Sequence, residues 1–168
     1  FPPKRGGHGE IVPLGGSSIH VLARIVSCCE LFERVRYPKG DGPPIPTLDA
    51  LNAMLAEPLA SKIDPIVRAG LFGSVPPFAP GTVVTLADAI DAVVLTWRPS
   101  DPCRPMVATL DSVLSEDTSI ERVDLAEESG LSITHHEGRD VRDRLFDASV
   151  IQTERRGPPT QAEAGKAA

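Results

Sequence analysis

Residues 82–110, TVVTLADAIDAVVLTWRPSDPCRPMVATL, hold three short runs rich in β-branched residues, at 82–86, 92–97 and 106–110. Turn residues such as RPSDPCRP break them apart. Runs of this length, bounded by turn formers, read as β-strands. Two weaker strand candidates follow, RVDLA (122–126) and LSITHH (131–136), and RDVRDRLF (139–146) reads as a last helical turn or two. The stretch 76–146 is therefore predicted to form a small antiparallel β module.

Upstream of residue 76 the period is different. Between positions 19 and 36, Leu22, Ile25, Cys29 and Phe32 recur at spacings of 3, 4 and 3, which lays one apolar stripe along a helix. YPKGDGPPIP (37–46) ends that helix, because its prolines and glycines do not continue one. Thr47 is placed to cap LDALNAML, with Leu48, Leu51, Met54 and Leu55 turned inward, and Pro58 stops this second helix. Asp64-Pro65 starts a third, IVRAGLF, with Asp as the cap and Pro at the first helical position, where its missing N–H is not needed. Residues 1–18 are Gly- and Pro-rich and read as loop. From about Glu154 no apolar period remains and disorder is expected. The predicted class is α+β: helices over 1–75, the β module over 76–146 and a disordered tail over 147–168.

Composition excludes several functions. A net charge of −6 with no block of Lys or Arg argues against a nucleic-acid partner, which demands a basic footprint. No apolar run approaches the roughly 18 residues of a membrane span. Three cysteines, an odd number with two adjacent, make a poor disulfide framework, and with no leader pattern they point to the cytoplasm. The chain begins at Phe1 rather than Met and reads as a fragment.

Candidate chemistry is sparse. Cys28 and Cys29 diverge by about 100° on a helix and cannot share an ion. Zinc cysteines are spaced by two to four residues, so Cys29 reads as filling for the apolar stripe. Glu30 and Glu33 share a face that could chelate a hard cation weakly, but they read as a solvated acidic edge. His135 and His136 beside Glu137 point to opposite faces of a strand and read as surface histidines. His8 in GGHGE lacks a phosphate-loop pattern, and neither it nor His20 has ligand-type residues at metal spacing. Ser17-Ser18 has no base or elbow around it. Cys103 sits in a turn, DPCRP, and is expected to be exposed.

Taken in order, these segments resemble the C-terminal half of HD-GYP proteins, bacterial phosphohydrolases that cleave cyclic di-GMP. In that family an HHE…DGSGYP loop leads into a helix of the type ARILAVADVYDAL; here GGHGEI precedes LARIVSCCELFERV. LDALNAML and IDPIVRAGL match the next two family helices in type and order. FAPGTVVTL, AVVLTW, RPMVATL, VDLAEESGLSI and RDVRDRLF are similar to the β module that often follows. The resemblance covers about residues 7 to 146 and implies part of an HD-type helical bundle.

The resemblance also implies a site in which His and Asp residues hold two or three metal ions that activate water. The position of the paired histidines falls at Phe1-Pro2, and the Gly-Tyr-Pro triplet reads Gly9-Glu10-Ile11. The metal-binding Asp aligns with Glu30 and a second Asp with Glu33, each one methylene longer. Glu30 is thus expected to be a vestigial metal position. The implied function is a catalytically inactive, regulatory or scaffolding relative of cyclic di-GMP phosphodiesterases, with no cofactor and with a protein partner or a homodimer on exposed helical faces. The rival expectation is part of an active phosphodiesterase whose catalytic half lies upstream, in which Glu30 completes a site for divalent iron or manganese. A third is an unrelated β module docked on a helical partner.

Overall fold

Two of the first three helices start at a side chain that accepts amides of the first turn, His20 for one and Asp64 for the other. The computed structural model describes residues 4–5, 11–12, 18–40, 42–114 and 120–147. The first helix, α1 (Val21–Arg36), opens with the His20 side chain accepting the Leu22 amide, so His20 is a cap rather than a ligand. Arg34 and Arg36 stand in its last turn, where a cation meets the negative end of the helix dipole. The second helix, α2 (Thr47–Leu55), begins one residue earlier than expected. Pro46 is its cap and Thr47 is already helical, with no side chain capping it. The third, α3 (Pro65–Phe72), starts as predicted: Asp64 Oδ1 accepts the amides of Ile66 and Val67 at 2.9 and 3.1 Å.

Asp64 also holds Arg24 of α1 in an ion pair, which fastens α3 to α1. Partial burial alone would raise its pKa, but the Val67 amide, the Arg24 guanidinium and the Ile66 amide outweigh that and hold it low. Asp64→Ala is expected to cost about 1–2 kcal/mol of stability, in the range for a lost cap. Asp64→Asn keeps the cap geometry and loses the charge, which separates the two contributions. Because the folded pKa is depressed, the charge contribution is full above the unfolded value and is lost as pH falls through the folded one. Urea melts of both variants at pH 7 and pH 3 measure it; identical pH profiles for wild type and Asp64→Asn would remove the ion pair from the account.

The strand runs form where the β-branched residues predict them. β3 (Val83–Leu86), β4 (Asp91–Thr96), β5 (Met106–Thr109) and β6 (Arg122–Asp124) make an antiparallel meander, broken by a short helix, α4 (Leu110–Leu114). β7 (Ile133–His136) returns to pair antiparallel with β3, and β8 (Arg139–Asp140) follows it, so the sheet order is β6-β5-β4-β3-β7-β8. Two further strands precede all of these, β1 (Lys4–Arg5) and β2 (Ile11–Val12), paired Lys4 to Val12 and Arg5 to Ile11. That corrects the loop expected over 1–18 at these four residues. A pairing of two residues with two rests on backbone bonds and needs no apolar pattern that the sequence could advertise. β1 and β2 form a separate two-stranded ladder. The 139–146 segment is likewise β8 plus a single 3₁₀ turn at Arg142–Arg144. The tail expected over 147–168 lies outside the described residues from 148 onward.

The fold is α+β: after the β1–β2 ladder come α1, α2 and α3, and then the six-stranded antiparallel sheet with α4 between β5 and β6. One hydrophobic cluster runs from Cys28 and Phe32 on α1, through Leu48, Leu51 and Met54 on α2 and Phe72 on α3, into Val84, Val94, Val107 and Ile133 of the sheet. The inward face of α1 differs from the expected stripe. Cys28 and Phe32 are buried, while Cys29 is exposed and Leu22 and Ile25 are 63% and 41% exposed. The reason lies in where α1 touches its neighbours. Its C-terminal half rests on the core through Cys28, Leu31, Phe32 and Val35, a face about one residue round from the predicted stripe.

Candidate functional site

The side of α1 that carries Arg24, Ser27, Leu31 and Arg34 faces residues 61–65, and between them lies an open cleft of about 580 Å³. Helical spacing puts these four residues on one flank, and Asp64, as the cap of α3, brings the opposite wall close. Cys28, Leu31 and Ile63 supply apolar surface. Glu30, Lys62, Ser61 and Asp64 complete the polar lining. Both carboxylates already have cations: Asp64 is bound by Arg24, and Glu30 by Arg34 one turn on.

The structure therefore puts Glu30 at a cleft, but with side-chain exposures of 59% for Glu30 and 73% for Arg34 the pair is a solvated surface bridge. Glu33 is exposed, and Cys29 is exposed while Cys28 faces the core. Burial, with Cys29 next in weight, pushes the Cys28 thiol up to about 11, so it stays protonated at neutral pH and is a poor nucleophile or ligand. Among the described residues no three His, Cys, Asp or Glu side chains converge as metal ligands. Among the described residues the cleft holds two carboxylates, each paired with a guanidinium, and these by themselves are too few ligands for several iron or manganese ions.

Two expectations about single residues are corrected. Cys103 is 4% exposed, not a surface thiol: the DPCRP turn folds inward, Pro102 and Pro105 are buried with it, and burial pushes the thiol up to about 12. His135 and His136 do point to opposite faces, but His136 is 8% exposed rather than on the surface. Its ring meets Phe78 edge-on with centroids 5.2 Å apart, and among the described residues its Nε2 has no hydrogen-bond partner. His8 and Ser17 lie outside the described residues, and Ser18 is exposed.

Sequence reasoning did not single out Arg24, Lys62 or Arg34. The polar spacing 24, 27, 34 along α1 was the available signal; it needed the position of residues 61–65 to become a site. Among the described residues no helix is long and apolar enough to cross a membrane. Comparison with protein-family models, with curated proteins and with solved structures gives no match.

Proposed function

We propose that this chain is a non-catalytic regulatory or scaffolding module that docks a protein partner or a second copy of itself on α1. The observation that carries the reading is the first half of that helix: Val21, Leu22, Ile25 and Val26 are 46%, 63%, 41% and 64% exposed. Four large apolar side chains within two turns make a patch of the kind that marks interaction sites on soluble proteins. The segment order that resembles HD-GYP proteins supports a place in cyclic di-GMP signalling, as a relative that no longer hydrolyses. A cytoplasmic location fits three cysteines that form no disulfide among the described residues.

The test is mass against concentration by light scattering for wild type and for Leu22→Glu/Val26→Glu. The expected result is association in the wild type, or a defined complex with a partner, that the double variant loses while its monomer still folds. Wild type that stays monomeric at all concentrations, and gains no partner that the double variant fails to bind, would end this reading.

The position of Glu30 and Asp64 in one cleft favours a second reading, part of a metal-dependent phosphodiesterase completed by an upstream half. The reading preferred here expects Glu30→Ala to shift stability by no more than about 0.5 kcal/mol, the worth of an exposed helical ion pair. It also expects no change in the iron or manganese content of the full-length protein. Stoichiometric metal lost on Glu30→Ala would favour the phosphodiesterase instead.

A further inference from the structure

We propose that the cleft between α1 and residues 61–65 binds a small amphipathic monoanion, a carboxylate carried on an apolar body. The cleft lies on the flank of α1 away from Leu22 and Val26, so this goes beyond docking at the exposed apolar patch. Its volume of about 580 Å³ falls in the range of small-molecule sites, roughly 300–1,000 Å³. Cys28, Leu31 and Ile63 offer an apolar wall on which a hydrocarbon body can lie.

The charge of the lining selects the head group. Three cations, Arg24, Arg34 and Lys62, share the cleft with two carboxylates, Glu30 and Asp64. Arg24 is matched by Asp64 and Arg34 by Glu30, which leaves the Lys62 ammonium without an ionic partner among the described residues. One positive charge is thus in excess here, on a chain whose net charge is −6. A single negative charge balances it, whereas a phosphate dianion brings a second charge toward Glu30 and Asp64. The donors left over suit a carboxylate as well. The ammonium has three N–H groups, the Ser27 hydroxyl makes no hydrogen bond among the described residues, and Arg34 retains N–H donors beyond the one given to Glu30.

Octanoate is the probe, titrated into the full chain by calorimetry and followed by methyl shifts of Leu31 and Ile63. Octan-1-ol and inorganic phosphate are the comparison arms. Octanoate is expected to bind at least about tenfold tighter than either, since it alone uses both wall and charge. Lys62→Gln is expected to weaken octanoate about tenfold, the scale of one charged hydrogen bond, and Lys62→Arg to restore most of it. Lys62 is exposed, so both variants are expected to melt with the wild type, and Lys39→Gln is the control for bulk charge. Equal binding of octanol would reduce the cleft to an apolar groove, and equal binding of phosphate would reduce it to a generic cation. Either result overturns the proposal, as does octanoate binding that is undetectable or indifferent to Lys62→Gln.

Discussion

Phe72→Ala is expected to lower the free energy of unfolding by about 3–5 kcal/mol, the usual cost of removing a buried phenyl ring. Phe72 is 2% exposed and closes α3. Its ring meets Phe146 edge-on, with centroids 5.4 Å apart and planes at 74°. The contact therefore joins the helical layer to the segment that follows β8, and the hole left by alanine opens at that joint. Against a total stability of about 5–15 kcal/mol such a loss is large enough to move the urea midpoint well clear of error. Phe146→Ala and the double variant complete a cycle. The coupling between the rings is expected at about 0.5–1.5 kcal/mol, the range for an edge-to-face pair beyond its buried area. A Phe72→Ala midpoint unchanged from wild type, or no coupling at all, would mean the segment around Phe146 does not pack here.

Local chemistry was the legible part of this fold. The Asp64-Pro65 start, the three β-branched runs, the two weaker strand candidates and the Pro-rich breaks each act over a few residues, and each lies close to where the sequence puts it. What depends on contacts between distant elements was not legible. The apolar period of α1 is genuine, yet two faces of that helix carry apolar residues, and only packing on α2 and α3 decides that Cys28 and Phe32 go inward. Cys103 lies in a turn by every local sign, and its burial follows from Phe146 and the β5–β6 region closing over it. The cleft was half visible, as a polar spacing on α1 whose opposite wall is 27 residues and more along the chain. Glu30 was visible only through the resemblance, and its neighbour Arg34 makes it half of a surface ion pair.

The second large effect concerns acid. Stability is expected to fall as pH drops from 7 to 5, and His136→Phe is expected to flatten most of that fall. A neutral imidazole carries one N–H, but an imidazolium carries two, and the buried Nε2 of His136 meets no acceptor among the described residues. A buried N–H left unpaired costs about 1–3 kcal/mol. Burial is also the main cause that pushes the His136 pKa below 6.5, against the pull of Glu137 beside it and Asp49 on α2. Other charges nearby do not relieve it. Arg139 is its cross-strand partner on β8, and Arg144 is bound to Asp49 at 2.6 Å. Since the folded pKa lies below the unfolded one, the unfolded chain takes up the proton first. Stability is therefore full above about 6.5 and is lost as pH falls from there toward the folded value. The Asp64 charge acts on the other side of this window, below the ordinary carboxylate range. Phenylalanine keeps a ring against Phe78 and has no proton to gain, so His136→Phe is expected to stay close to wild type at pH 8 and exceed it at pH 5. His135→Gln, on the exposed face of the same strand, is expected to keep the wild-type profile. Urea melts at pH 8, 6.5 and 5 for the three proteins, with the His136 ring titrated by NMR, decide it: a ring that titrates at or above 6.5, or parallel profiles for wild type and His136→Phe, would sink the idea.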